Sequence, residues 1–398
     1  MRCLMVKFIH AADLHLDSPF KSRSELPPHI VDSLMESTYK ATKRMIDYAI
    51  KEEVDFVILA GDVFDQKNRT LKSEIFLKEQ FKRLEKNGIF TYMIHGNHDP
   101  LDHGIQTSWP STVHVFKDNI ETYQLMSKNK EQVFLHGFSY LHDETYENKL
   151  DQYPVNTRND GIHIGILHGT YSKSNTKSAR YTEFTLEELR SKLYHYWALG
   201  HIHQRQELSD IPLIHYSGNI QGRHMNESGE KGFYLVEGDH VHLYSKFVSV
   251  EEILFENYEL EVKSLRRDEL YQSISEYKNT IRKEGKRMIE LTVYYDGDDD
   301  IGGNDYYEVL SLLQEDERDV EDFVWIDRLH IEHENEERNA LLTDIKTTFR
   351  GDDKLFREAL NTLYMDPKVN RYLPPIQDID KDELLELGEE RLKLLMRK

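Results

Sequence analysis

The sequence holds one cysteine, Cys3, in 398 residues. That excludes a disulfide framework and a cysteine-rich zinc module, and it suits a reducing compartment. No apolar run approaches the ~18 residues of a membrane span, and Met1–His10 lacks the long apolar core and small-residue cleavage site of a signal peptide. A soluble, cytoplasmic protein with no membrane role is the expectation. Positive charge is also scarce, with 51 Lys and Arg against 72 Asp and Glu and a formal net charge of −21. A binder of phosphate backbones ordinarily carries a Lys/Arg-rich footprint, so the average argues against nucleic acid.

The average hides an asymmetry. Residues 1–250 hold 29 basic and 33 acidic side chains, a balance of −4, whereas residues 251–398 stand at −17. Within the latter, residues 288–340 alone carry −15, and 18 of the 20 histidines precede residue 251. A nearly neutral, histidine-rich body is followed by an acidic part, whose charge run reads first as a solvated face.

The body alternates strand-like runs with helical patterns, which points to a layered α/β architecture. Strands are expected at Val6–Ala11, Phe56–Ala60, Ile89–Ile94, Val133–Phe138, Ile162–Leu167, Tyr196–Leu199 and Leu213–Tyr216, and helices at Val31–Val54 and Leu71–Asn87, the second stopping at Gly88. From Val113 onward the strands lie closer together, and antiparallel pairing is expected there. Past a boundary at 250, residues 251–335 read as a small α/β unit and 336–398 as a helical segment with helices at Asp352–Tyr364 and Asp380–Met396. The last of these has a leucine-rich face, which either packs on the body or docks on another chain.

Five short clusters follow strands in order: Asp13-Leu14-His15, Gly61-Asp62-Val63-Phe64-Asp65, Gly96-Asn97-His98-Asp99, His168-Gly169 and Gly200-His201-Ile202-His203. Strand ends are where an α/β sheet brings loop side chains into one crevice. The donors are oxygen and imidazole without thiolate, a mixture that suits Mn²⁺, Fe²⁺ or Zn²⁺ better than Ca²⁺ or Mg²⁺. Seven ligands (Asp13, His15, Asp62, Asn97, His168, His201 and His203) exceed one tetrahedral site and suit two ions sharing a carboxylate. Turn chemistry explains Asp, Asn and Gly at such places but gives His168, His201 and His203 no role. His136 reads as a structural histidine, while His10 and His95 stand between site support and plain packing. Lys173, Lys177 and Arg180, interleaved with Tyr171 and Tyr181, suit either a nucleic-acid groove or a solvated loop.

Together the clusters match DxH, GDxxD, GNHD, H-G and GHxH, and so the chain resembles the calcineurin-like metallophosphoesterase superfamily. The segments FIHAADLHL (8–16), LAGDVFD (59–65) and LGHIH (199–203) resemble its SbcD-type DNA repair nuclease branch. Asp17-Ser18-Pro19-Phe20 and Gly218-Asn219-Ile220-Gln221-Gly222-Arg223-His224 are similar to the YhaO group within that branch. The resemblance implies a two-sheet sandwich flanked by helices, with a small α/β cap domain. It implies one metal on Asp13, His15, Asp62 and His203, a second on Asp62, Asn97, His168 and His201, and Asp62 as the bridge. Mn²⁺ is the implied metal. It further implies His98 as the group acting on the leaving oxygen, with Asp99 as the residue that orients it. Arg223 and His224 follow a Gly-rich turn and read as substrate phosphate contacts. The departures are His95, where a small residue or proline is usual, and Asp65, where some relatives have a histidine. Implied partners are DNA and an SbcC-like ABC-type ATPase whose coiled coil would receive the terminal helix; a homodimer is also compatible. The function so implied is a Mn²⁺-dependent DNA exo/endonuclease subunit in repair. A phosphatase or small-molecule phosphodiesterase is the alternative, and a non-enzymatic regulatory subunit is a third.

Overall fold

The computed structural model describes residues 5–18, 26–65, 70–103, 107–142, 148–158, 160–172, 182–295, 297, 301–333, 336–365 and 380–395. Pro19, Phe20, Lys173, Lys177, Arg180, Tyr181 and the acidic turn residues Asp296 and Asp298–Asp300 lie outside them. The chain divides into two compact units, Met1–Glu256 and Asn257–Lys398. Among the described residues no helix is long and apolar enough to cross a membrane.

The first unit runs β1 (Val6–Ala11), α1 (Pro28–Lys51), β2 (Phe56–Ala60), α2 (Leu71–Lys86), β3 (Phe90–Ile94), β4 (Val113–Val115), β5 (Glu121–Met126), β6 (Gln132–Gly137), β7 (Ile162–His168), β8 (Thr170–Tyr171), β9 (Glu183–Phe184), α3 (Leu186–Ser191), β10 (Tyr196–Gly200), β11 (Gln206–Asp210), β12 (Leu213–Tyr216), β13 (Gly232–Gly238) and β14 (Leu243–Ser249). Two six-stranded sheets result, ordered β14-β13-β1-β2-β3-β4 and β11-β12-β10-β7-β6-β5. Both faces of the central strands are covered, so their sequences are continuously apolar and only the alternation assigns each side chain to a layer. In β2, Phe56, Ile58 and Ala60 enter the core between the sheets, while Val57 and Leu59 turn to the core beneath α1 and α2. In β10, Tyr196 and Ala198 enter the inter-sheet core, and Trp197 and Leu199 pack in the outer cluster with Phe138, Tyr153 and Leu189. Phe8 stacks on Phe56 at 4.9 Å and meets the edge of Tyr196 at 5.4 Å; each such buried ring contributes roughly 3 kcal/mol.

Helix α1 starts earlier than its periodicity suggests because Pro28 occupies the first turn, where its missing N–H costs nothing. In α2, the Thr70 side chain caps the start by accepting the Ser73 N–H (3.3 Å), and Gly88 at φ +67° turns the chain away at the end. The expected antiparallel pairing beyond Val113 holds in part: β13 pairs antiparallel with β14 and with β1 in the first sheet, and the second sheet is antiparallel at its edges. β5 with β6 and β11 with β12 are antiparallel, but β6–β7, β7–β10 and β10–β12 are parallel. The correction has a topological cause: residues 138–161 and 169–195 are long crossovers that return the chain to the same sheet edge, and strand spacing alone does not reveal that.

β15 (Leu254–Val262) leads into the second unit, followed by α4 (Arg267–Ile281), β16 (Arg287–Tyr295), α5 (Gly303–Glu315) and β17 (Val324–His333). These strands form a three-stranded sheet with α4 and α5 packed on it through Leu270, Ile274, Val309 and Leu313. Within the acidic stretch, Glu317 is fully buried, paired with Lys278 (2.6 Å) and Arg282 (2.7 Å), so this one carboxylate is structural instead of solvated. Among the described residues the helices α6 (Glu336–Gly351), α7 (Asp353–Met365) and α8 (Lys381–Leu395) follow, of which the sequence pattern singles out only the last two. Leu384 and Leu385 of α8 line an apolar pocket of about 210 Å³ with Phe349, Phe356 and Leu360.

Three buried histidines set an acid limit on the first unit. His136 accepts or donates at Thr122 and His163, as a structural histidine should, and His10 bonds Tyr196 and the Leu199 carbonyl. Burial holds His10 and His136 down to about 3 and His215 to about 4. Each is neutral when folded and takes up a proton below about pH 6.5 when unfolded. The stability they contribute is therefore complete above that value and is lost as the pH falls towards 3 to 4, by roughly 2 kcal/mol per histidine at pH 5. Urea midpoints at pH 7 and pH 5 measure this; equal midpoints would mean that these rings are hydrated.

Candidate metal centre

Parallel pairing is what makes a site. β1, β2 and β3 are neighbours in register, so their C-terminal ends deliver Asp13, His15, Asp62, Asn97 and His98 to one edge. β7 and β10 do the same in the other sheet, pairing Gly200 with His168 and bringing His201 and His203 beside it. Had β7 and β10 been antiparallel, His168 and His201 would stand at opposite ends. The first two loops run side by side, the Asp13 N–H donating to the Gly61 carbonyl and the His15 N–H to the Asp62 carbonyl, both at 3.0 Å.

Four of the candidate ligands sit in the left-handed region: Asp13 at φ +51°, His15 at +43°, Asp62 at +48° and His201 at +99°. Such conformations cost on the order of 1–3 kcal/mol each in residues bearing a Cβ and persist where the surroundings impose them. Two glycines make the close approach possible. A Cβ on Gly61, itself at φ +95°, would lie 2.3 Å from His168 Nδ1, and one on Gly96 would lie 2.3 Å from Asp62 Oδ1.

The side chains gather into groups whose ligand atoms lie within 4.8 Å of one another: Asp13, His15 and His203; Asp62, His168 and His201; and His15, Asp65 and His98. Asn97 joins the second, its Oδ1 lying 3.1 Å from both His168 Nε2 and His201 Nδ1. Asp62 stands between the first two groups. Its Oδ1 accepts the His98 backbone N–H (2.9 Å), whereas its Oδ2 is buried without a hydrogen bond, 3.3 Å from His168 Nε2 and 3.9 Å from His15 Nε2. His15 Nε2 and His203 Nε2 face each other at 3.1 Å, and His15 Nδ1 is also buried without a partner.

Charge tells the same story. His168 donates from Nδ1 to the Ala60 carbonyl (3.0 Å), so any proton on Nε2 makes it an imidazolium. Although burial opposes that form, the Asp62 and Asp13 carboxylates raise His168 to about 9. Asp62 stays well below its ordinary value, the cost of burial outweighed by His168 and His15, while burial pushes the neighbouring Asp13 up to about 6. Burial and nearby positive charge hold His201 near 3 and His15 well below 6.5. The cluster thus recruits one proton where several lone pairs converge. Divalent cations would keep both carboxylates ionised and every ring nitrogen facing them deprotonated, so these residues fit such ions.

Two site expectations change. Asp99 does not orient His98: its Oδ1 accepts the Gly96 N–H (2.8 Å), its Oδ2 accepts those of Val63 (2.9 Å) and Phe64 (3.4 Å), and His95 Nδ1 lies 3.1 Å away. It staples the loops after β2 and β3 together, and Asp65 is the carboxylate grouped with His98. Arg223 does not present an open fork to a phosphate. Its guanidinium is engaged by Glu227 (2.8 and 3.3 Å) and by Ser18 Oγ (3.3 Å), while the His224 side chain is 53% exposed. Glu227, which no motif singled out, lies 2.7 Å from His203 Nδ1.

Comparison with known proteins agrees with this geometry. Residues 6–205 match the calcineurin-like phosphoesterase family. The uncharacterized metallophosphoesterase YhaO of Bacillus subtilis is 37% identical over 97% of each chain. The DNA double-strand break repair protein Mre11 of Methanocaldococcus jannaschii is 26% identical over 58% of this chain and 62% of its own. The SbcD component of the SbcCD nuclease of Staphylococcus saprophyticus is 24% identical over 64% of this chain and 73% of its own.

Proposed function

Because the chain belongs to the calcineurin-like phosphoesterase family, we propose that it is a dinuclear, Mn²⁺-dependent phosphodiesterase that cuts DNA as an exo/endonuclease in repair, alongside an SbcC-like ABC-type ATPase. The observation that carries the phosphodiesterase reading is the buried Asp62 Oδ2 facing both His15 and His168. The DNA reading rests on the repair and nuclease functions for which the Mre11 and SbcCD relatives are named, and the proposed compartment is the cytoplasm.

Asp13, His15, Asp62 and His203 would hold one cation, and Asp62, Asn97, His168 and His201 the other. The pair would supply Lewis-acid stabilisation of charge on the phosphoryl oxygens and an activated water. The chain's own residues do the rest. The His98 backbone N–H fixes the Asp62 carboxylate. The His98 ring, edge-on to His15 at 5.0 Å between centroids, would give a proton to the leaving oxygen, and Asp65, whose carboxylate lies within 4.8 Å of it, is the acid proposed to orient that ring. His224, whose side chain is exposed, is the residue proposed to contact a substrate phosphate.

Purified protein with Mn²⁺ should hydrolyse labelled single- or double-stranded DNA, tested beside a small phosphodiester. Cleavage of the small ester alone, even with the ATPase present, would overturn the nuclease reading; no hydrolysis of either would overturn the enzyme. With a balance of −4 over residues 1–250, the isolated chain should bind DNA with a shallow salt dependence, a log–log slope no steeper than roughly −3. A steeper slope would mean a broad basic surface.

A further inference from the structure

The surroundings of His203 contain a second, independent arrangement. Glu227 is buried in the short turn Met225–Glu227 and collects donors on both carboxylate oxygens. Oε1 lies 2.7 Å from His203 Nδ1 and 2.8 Å from the Arg223 Nη2 donor. Oε2 accepts from the Arg223 backbone N–H (2.8 Å), Arg223 Nε (3.3 Å) and Asn219 Nδ2 (2.8 Å). Four donors from Arg223 and Asn219, the guanidinium among them, converge on its two oxygens and keep the carboxylate ionised. An ionised carboxylate only accepts, so the hydrogen between it and His203 belongs to the imidazole. Arg223 Nη2 also lies 3.0 Å from His203 Nδ1, and two donors cannot bond each other. Both hydrogens therefore point to Glu227 Oε1. From the other side, Lys231 Nζ donates to the His203 carbonyl at 3.2 Å, fixing the backbone that carries the ring.

The opposite tautomer is disfavoured twice. It would set a lone pair on Nδ1 against the carboxylate, and with a cation bound it would turn a hydrogen instead of a lone pair towards the Asp13, His15, His203 group; without the cation, His15 Nε2 donates to His203 Nε2 across their 3.1 Å contact. We infer that Glu227 is a positioning residue for the metal centre, holding His203 with its hydrogen on Nδ1 and its Nε2 lone pair turned to the cation, and that Arg223 serves Glu227 instead of the substrate phosphate. The inference rests on the metal-centre reading. A carboxylate behind a ligating imidazole fixes its orientation and raises its basicity, and loss of such a partner typically weakens metal affinity about 10–100-fold.

The test uses the full chain freed of metal. Long-range ¹H–¹⁵N correlation of the imidazoles, with His203 assigned by the His203→Gln spectrum, should show the Nδ1–H tautomer in the wild type. In Glu227→Gln the amide can donate to Nδ1, and the Nε2–H form should grow. Calorimetric titration with Mn²⁺ should then show one of the two cations bound about 10–100-fold more weakly in Glu227→Gln, with the other affinity changed less. A wild-type His203 protonated on Nε2 overturns the inference even if the variant does not fold. So does a folded Glu227→Gln that binds both cations as tightly as the wild type. A wild type that binds no cation overturns the metal centre itself, a distinct result.

Discussion

Asp62→Asn strips the centre of both cations and lowers DNA hydrolysis by at least ~10³-fold, on the order of 4 kcal/mol of barrier. Asp62 turns one buried oxygen to both donor groups, 3.3 Å from His168 Nε2 and 3.9 Å from His15 Nε2. Asparagine keeps the acceptor for the His98 N–H and tolerates the left-handed backbone at φ +48°. It replaces the anionic bridge by an amide that cannot neutralise two divalent charges. Metal analysis after gel filtration should fall from two ions per chain to fewer than one. The thermal stabilisation that Mn²⁺ gives the wild type, a mass-action consequence of binding only the folded state, should vanish. Two retained ions, or activity within tenfold of the wild type, would remove Asp62 from the bridging role.

His98→Ala should leave both cations bound and still lower DNA hydrolysis by ~10²–10⁴-fold, the range for a positioned proton donor. The ring is half-buried, grouped with Asp65 and His15, and it contributes no nitrogen to the Asp13, His15, His203 group or to the Asp62, His168, His201 group. Its backbone N–H, which fixes Asp62, survives in alanine. The loss should depend on the leaving group. A sugar alkoxide needs a proton as it departs, whereas a nitrophenolate does not, so a nitrophenyl phosphodiester should be affected much less than DNA. Equal losses on both substrates would mean that His98 stabilises charge on the phosphorus instead of protonating the leaving oxygen. A lost metal ion would make it a ligand.

Much of this centre can be read in the chain because its chemistry is local. An aspartate two residues before a histidine, or GHxH after an apolar run, exposes both the donor and the strand end that carries it. The partners of those donors are not local. Asp99 adjoins His98, yet its carboxylate is consumed by the backbone N–H groups of Gly96, Val63 and Phe64. Asp65, far away in sequence, comes to His98 because β2 and β3 are parallel neighbours. Glu227 looks like any surface acid in MNESGEKG; only the fold brings four donors from Asn219 and Arg223, and the His203 ring, to it. In retrospect, an acid four residues beyond an arginine and close behind GHxH was a weak signal.

The amino-acid sequence by itself determined the inventory: oxygen and imidazole donors without thiolate, at five strand ends, in a near-neutral body joined to an acidic second part. Burial on both faces left its mark as continuous apolar runs, and these mark strands without giving their direction. Direction, and therefore the site, was decided by tertiary structure. Parallel pairing of β7 with β10 sets His168 beside His201, and the packing imposes left-handed backbones on Asp13, His15, Asp62 and His201 that no local preference would choose. Hydrogen bonds saturate: once Asp99 is bound to backbone donors and Arg223 to Glu227, neither is available for the role its position in the chain suggests. Which polar group is already satisfied depends on every element that packs around it.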